Sequence, residues 1–461
     1  MRYSEQMKRT SAPGFPLVAL ITQLCACSGD DSHGSADGSA GLSDGVSITL
    51  TGAATATDST GTSNSGSDSD SGPEKLDLGD DATLPGGGDC SDVLPQPGDE
   101  DYSIIWIANT GQHTVSKIDT ASATELARYR TGPGETDPSR TSVNLRGDVA
   151  IANRSGSVVK IANRISNCVD KNVNGVIDTS TGPNDVRDWG SDECVLWFHD
   201  LAFPKGLPSN QGGPRAIAWD GGAASNCFAT AMVWVGWRDQ PTNNVKIRRI
   251  NGVNGETDTE VLAENWEGNW GHGTYGGAAT KSGSFWGLGT RANLVHVDAL
   301  SLEVKRYKGP DVVLYGLTLD AQGEPWLAGY DDGHLWRFHS GTAEFQDMGK
   351  VGGPAHLRGL AIDKQGFAWI AGNDPCALIQ YDTSTESIVN SEIALPGCIE
   401  PVGISIDRSG QIWVVDRDAN RAYKVDPETY ETVTVDGLVK PYTYSDMTGE
   451  GLGLVVNPPE G

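Results

Sequence analysis

Gly316-Leu-Thr-Leu-Asp-Ala-Gln-Gly323, Gly359-Leu-Ala-Ile-Asp-Lys-Gln-Gly366 and Gly403-Ile-Ser-Ile-Asp-Arg-Ser-Gly410 repeat one phrase at steps of 43 and 44 residues. In each, an alternating apolar strand ends in an Asp-x-x-Gly turn. A second apolar run follows, with Trp326, Trp369 or Trp413 at one fixed offset from the opening glycine. Four-stranded units of about 40 to 50 residues that repeat in this way are the blades of a β-propeller.

The register extends backwards with increasing divergence. Tyr275-Gly276-Gly277 opens a copy whose tryptophan is Trp286, and Arg215-Ala216-Ile217 opens another whose second strand is Met232-Val233-Trp234-Val235. Arg146-Gly147-Asp148-Val149-Ala150-Ile151 is read as the opening of blade two. Ile104-Ile105-Trp106-Ile107-Ala108 is already a second strand, with no opening strand before it. Glu450-Gly451-Leu452-Gly453-Leu454-Val455-Val456 repeats the opening pattern at the other terminus. The expectation is therefore an all-β, seven-bladed propeller whose first blade is closed by this C-terminal strand, leaving no sheet edge exposed. Third strands ending in Asp119, Asp298, Asp382 and Asp426 support the count, because such an aspartate bonds the backbone two residues on. The tryptophans at the shared repeat position are expected in the cores of the blades.

The propeller is assigned to residues 101–461. Residues 1–26 form a leader in which Arg2, Lys8 and Arg9 precede a short apolar run from Phe15 to Leu24. Its end, Leu24-Cys25-Ala26-Cys27, resembles the lipobox of bacterial lipoproteins, which implies cleavage before Cys27 and its acylation. Ser28 after that cysteine, by the same resemblance, favours the outer over the inner membrane of a bacterial cell envelope. Residues 27–100 read as a disordered tether, with no aromatic residue and 15 acids against the single base Lys75. The chain carries a net charge of −27, which argues against nucleic acid as a partner.

Cysteine usage agrees with export. Apart from Cys25 and Cys27 there remain Cys90, Cys168, Cys194, Cys227, Cys376 and Cys398, an even number that suggests disulfides. Cys376 and Cys398 flank one predicted hairpin of blade six, Cys168 and Cys194 bracket an insertion at 162–210, and Cys90 with Cys227 is the remainder. Within that insertion, read as lying between blades two and three, Asp170-Lys-Asn172-Val-Asn174-Gly175-Val176-Ile-Asp178 resembles the calcium loop of EF-hand and dockerin modules. The resemblance implies that Asp170, Asn172, Asn174 and Asp178 are side-chain ligands and that Val176 gives its carbonyl to a structural calcium. Position twelve of the pattern is Thr181 rather than an acid, so the completing ligand is sought among Asp185, Asp188, Asp192 and Glu193.

Propellers bind ligands where the loops entering the innermost strands converge. The residue before each opening glycine or its equivalent is expected there: Arg146, Arg215, Tyr275, Tyr315, Arg358, Val402 and Glu450, with His272 and His356 slightly upstream. Guanidinium forks and phenols facing one cavity suit an anion or a sugar. The same arginines could instead pair with acids of neighbouring blades.

The repeat phrase over roughly residues 102–456 resembles the streptogramin B lyase family and the related NHL-type propellers. The resemblance implies a magnesium ion with a histidine and an acid at the channel mouth, opening a cyclic depsipeptide ester. Glu400-Pro401-Val402-Gly403-Ile404 supplies an acid but no histidine, and His356 with Glu450 is the remaining possible pair. No nucleophile triad, phosphate loop or zinc spacing occurs. These readings favour a monomeric, lipid-anchored module binding a small molecule, glycan or protein. The alternative is a metal-dependent lyase or lactonase, and magnesium belongs to it alone.

Overall fold

The computed structural model describes residues 103–204, 212–223, 229–240, 242–266, 271–291 and 293–459. The leader, the tether, Cys27, Cys90 and Cys227 lie outside the described residues. Seven antiparallel sheets follow one another along the chain, six of four strands and one of three, so the fold is the expected seven-bladed β-propeller.

Blade five shows how the repeat phrase builds the unit. Its strands Leu314–Leu319, Pro325–Gly329, His334–His339 and Glu344–Lys350 pair in chain order. At the first corner Asp320 accepts the backbone N–H groups of Gln322 (3.0 Å) and Glu324 (2.9 Å), and Gly323 takes φ +81°. The second oxygen of Asp320 accepts the indole N–H of Trp326 at 3.0 Å, which fixes the ring in the core. Asp363 with Trp369 (2.8 Å) and Asp407 with Trp413 (2.9 Å) repeat this bond in blades six and seven. The opening glycines answer a different constraint: a Cβ on Gly359 would sit 2.7 Å from the Val402 carbonyl oxygen, and Gly316 and Gly403 are pressed in the same way against Arg358 and Thr443. Inner strands of successive blades therefore touch backbone to backbone around the axis. The aspartates ending the third strands cap their corners as expected, Ala121, Leu300, Ser384 and Glu428 each donating to the carboxylate two residues earlier.

The closure of the ring differs from expectation in detail. Glu450–Val456 is not a strand but a short helix, α1. The missing inner strand of blade one is the segment 441–447: Trp106 N–H donates to the Met447 carbonyl (2.9 Å), Tyr442 N–H donates to the Ala108 carbonyl (3.1 Å), and Asn109 bridges to Pro441. On its two sides Thr443 meets Thr141 of blade two (Oγ1–Oγ1 3.2 Å) and Gly403 of blade seven. Chain-terminal closure holds, but the segment that zips the ring is 441–447, upstream of the Glu450–Val456 that the sequence pattern suggests. Asp446 makes the helix, its carboxylate accepting the N–H groups of Gly449 (2.8 Å) and Leu452 (2.8 Å).

Blade two is also out by one strand. Val149–Asn153 is its second strand, and the innermost is Pro138–Val143, a polar segment with Thr141 where blades four to seven have glycine. The insertion consequently sits inside blade two, between Ser157–Ile161 and Val195–Asp200. Both predicted disulfides in described residues are formed, Cys168–Cys194 and Cys376–Cys398.

Candidate functional site

The two ends of the channel differ. At the end where the inner strands finish, α1 lies across the opening and drives Leu452, Leu454 and Val455 into three separate apolar clusters, beside Trp219, Ile362 and Leu319. Behind it remains a cavity of about 60 Å³ lined mainly by Ile217, Trp219, Leu317, Leu360, Ile404 and α1 itself. Glu450 belongs to this end, tied to Lys364 at 2.8 Å.

At the opposite end the inner strands begin, and the residues preceding the opening glycine or its equivalent converge. In ring order they are Tyr442, Arg140, Arg215, Tyr275, Tyr315, Arg358 and Val402. Arg215, Tyr275, Tyr315, Arg358 and Val402 are where the sequence places them. Arg146 is not: it lies in the turn before the second strand of blade two, its N–H held by Asn144, and Arg140 takes its place. Glu450 is likewise replaced, by Tyr442. Reading on from Val402 by one more blade step reaches the neighbourhood of Tyr442, which is the signal that could have found it.

This end is filled by its own side chains. Arg140, only 1% exposed, lies with its guanidinium 3.0 Å from the Tyr444 ring centroid, 4.9 Å from that of Tyr275 and 5.5 Å from that of Tyr442. Its hydrogen bonds go to the carbonyl (3.1 Å) and hydroxyl (2.7 Å) of Ser139, and among the described residues no carboxylate pairs with it. Burial lowers its pKa to about 9, so it stays cationic at neutral pH. Arg358 is different: it pairs with Glu400, which Arg417 also engages, and it donates to the Tyr315 hydroxyl at 3.1 Å. Burial opposes the charge on Arg358, yet Tyr315 and Glu400 outweigh it and raise its pKa.

The histidines do not share a coordination point. His272 lies beside Tyr275 (5.1 Å), Tyr275 edge-on to Tyr315 (5.0 Å), and Tyr315 stacks on Tyr330 (5.5 Å) and Tyr330 on His356 (4.7 Å), so three phenol rings stand between the two imidazoles. Burial, followed by the charges of Arg215, Arg140 and Arg154, depresses His272 to about 3, which keeps it neutral and a poor base. His356 bonds the Tyr330 carbonyl at 2.6 Å and faces Asp374 at 3.7 Å. Glu450 is at the far end of the inner strand that begins with His356. These residues do not fit a magnesium ion held by a histidine and an acid. Among the described residues the one group of three His, Cys, Asp or Glu ligand atoms is Cys376, Cys398 and Asp416, whose sulfurs are joined to each other.

The insertion in blade two is wound as a cation loop would be. Asp170 accepts the N–H groups of Asn174 (3.2 Å) and Gly175 (2.8 Å), Asn174 accepts that of Val176 (2.8 Å), and Gly175 takes φ +84°. The amides of Asn172 and Asn174 both meet Asp178 Oδ2, at 2.8 and 2.9 Å, and lower the pKa of its carboxyl. Of the candidates for the completing ligand, Asp185 is bonded to Thr181, Asp192 to Thr179, Ser180 and Cys194, and Glu193 to the N–H groups of Lys171, Asn172 and Asp178.

No family model matches the chain, and no curated protein matches it. Among solved structures it is similar to virginiamycin B lyase from Staphylococcus aureus, at 14% identity and a TM-score of 0.47 over 68% of this chain and 90% of that one. A streptogramin B lyase structure is similar at 12% identity, TM-score 0.46, over 67% and 87% of the two chains. The Cps50 (Swd1) β-propeller domain of Myceliophteria thermophila is similar at 10% identity, TM-score 0.46, over 68% and 90%. The blade count rests on the sheets of this chain rather than on those similarities.

Proposed function

We propose that this chain is a lipid-anchored, extracytoplasmic binding module whose arginine- and tyrosine-rich channel end takes a ligand carrying a carboxylate or comparable planar oxyanion. Arg140 is the observation that supports this most. A buried guanidinium with no carboxylate beside it is unfavourable by itself, and an incoming oxyanion supplies the two acceptors it lacks. The tyrosine faces around it suit an apolar or sugar-like body attached to that group. The lyase or lactonase alternative has its histidines separated by tyrosines, one of its acids engaged by arginines and the other at the opposite end of the channel.

Acetate and uncharged sugars, compared by calorimetry and thermal unfolding, test the reading. Acetate should bind and raise the unfolding midpoint, sugars alone should do so less, and Arg140→Met should abolish the acetate response. The same variant should unfold no earlier than the wild type in the absence of ligand. With no carboxylate partner among the described residues, Arg140 is not one half of a buried ion pair, so an apolar side chain of similar length removes a desolvation cost without stranding an opposite charge. An unchanged acetate response in Arg140→Met would remove the site from consideration.

The anchor and the ion belong to the same reading. Cys27 carries the lipid, in the outer membrane, and Cys27→Ala should move the protein from the membrane to the soluble fraction. Asp170, Asn172, Asn174, the Val176 carbonyl and Asp178 hold a structural calcium that stiffens the insertion. Adding calcium to chelator-treated protein should raise the unfolding midpoint, by roughly 2.7 kcal/mol of stability at a hundredfold excess over Kd. Asp178→Ala should cancel that shift; a wild-type midpoint indifferent to calcium and chelator would take the ion out of the account.

A further inference from the structure

The channel continues below the arginine end. Residues two apart on a strand face the same side, so the channel-facing positions after Arg215, Tyr315, Arg358 and Val402 are Ile217, Leu317, Leu360 and Ile404. All four line the cavity behind α1. Three serines that also reach it are already engaged: Ser142 accepts the Trp219 backbone N–H (2.9 Å), Ser405 accepts that of Met447 (3.3 Å), and Ser445 donates to the Thr141 carbonyl. The Asp446 carboxylate is taken up by the backbone of α1. What remains is a largely apolar chamber, closed on the α1 side by Leu452 and Val455. Tyr444, two residues after Tyr442, is the member of this level that does not line the cavity. Its ring lies instead against Arg140 (3.0 Å), Tyr315 (4.8 Å) and Tyr275 (5.7 Å). Its buried hydroxyl has no hydrogen-bond partner among the described residues, so packing and the Arg140 cation hold the ring in place.

We propose that the ligand is a straight-chain aliphatic carboxylate of about four to six carbons, its carboxylate on Arg140 and its tail in the cavity behind α1, with the Tyr444 ring turned aside to admit it. A cavity of about 150 Å³ holds benzene, so one of about 60 Å³ takes about two or three methylenes. The remaining carbons span the level of the Tyr444 ring. Turning that ring breaks no hydrogen bond, and the carboxylate replaces the π-face that Arg140 loses. The inference rests on the binding reading above, to which it adds the tail. The competing chemistry is a polar tail: the Trp219 indole N–H, on the cavity wall, has no partner among the described residues and would suit a chain ending in an acceptor.

Calorimetry on the full chain with acetate, butyrate, hexanoate, decanoate and ω-hydroxyhexanoate tests the inference. Affinity should rise about fourfold for each methylene that enters the cavity, peak between butyrate and hexanoate, and fall for decanoate. The ω-hydroxy acid should bind at least about tenfold more weakly than hexanoate, because its hydroxyl is carried out of water. Leu452→Ala, which enlarges the cavity on the α1 side, should move the preferred chain length upward. Equal affinities for acetate, butyrate and hexanoate overturn the tail placement and leave the binding reading standing. So does an ω-hydroxy acid that binds as tightly as hexanoate. A chain-length preference that Leu452→Ala leaves unmoved puts the tail elsewhere and overturns the inference; if that variant does not fold, the wild-type series decides by itself. Failure of every carboxylate to bind overturns the inference and the binding reading together.

Discussion

A chain ending at Asp436 should not give a cooperatively folded propeller. The deletion removes the segment 441–447, which supplies the inner strand of blade one, and leaves the Trp106 N–H and the Ala108 carbonyl at an open sheet edge. It also removes the buried side chains of Tyr442, Tyr444, Met447, Leu452, Leu454 and Val455. At about 1.5–3 kcal/mol for each large apolar side chain, the loss is roughly 10 kcal/mol, comparable with the whole stability of an ordinary domain. A chain ending at Gly449 loses only α1 and about half of that amount, and it keeps the ring closed. Urea unfolding followed by circular dichroism should therefore show a single cooperative transition at a lower midpoint for the shorter deletion and none for the longer one. Equal damage from both would mean that α1, not 441–447, holds the ring together.

The contrast between these two segments also shows what was legible in the sequence. Gly316, Gly359 and Gly403 are readable because two physical demands coincide on each: alternation within a strand, and a backbone approach at the next blade that a side chain would block. Pro138–Val143 meets the second demand with Thr141 and shows no apolar alternation, so Arg146-Gly147-Asp148, an ordinary strand-linking turn, mimics the missing opening phrase. Glu450–Val456 carries the local pattern of an inner strand and forms a helix because Asp446 caps it and its apolar side chains find three clusters at once. Local pattern alone does not separate those outcomes. The site inherited both errors: five of its seven ring positions were placed correctly, while Arg140 and Tyr442 lie on the two inner strands that carry a threonine, Thr141 and Thr443, at the glycine position. The disulfides and the third-strand corners were legible because each depends on contacts within one hairpin or one insertion.

Trp369→Ala should cost about 3–5 kcal/mol, because a fully buried indole is removed from a close-packed sheet interface that cannot collapse to fill the space. The hydrogen bond adds a second component that a conservative change isolates. Trp369 donates to Asp363 at 2.8 Å, and Asp363 is itself buried while organising the corner through Gln365 and Phe367. Trp369→Phe keeps most of the ring volume but leaves that carboxylate one donor short, which should cost about 1–3 kcal/mol. The indole is among the contacts that hold the Asp363 pKa down against burial, so in Trp369→Phe the carboxyl should titrate at higher pH than in the wild type. Trp234 offers the comparison, since its indole donates at 2.9 Å to the Gly283 carbonyl in the next blade instead of to an acid in its own. Trp234→Phe should therefore lower the midpoint without altering any carboxylate titration. If Trp369→Ala and Trp369→Phe shift the urea midpoint equally, volume contributes nothing and the packing account of the repeat tryptophan is wrong; if Trp369→Phe matches the wild type in both midpoint and titration, the indole–carboxylate bond is incidental to the blade.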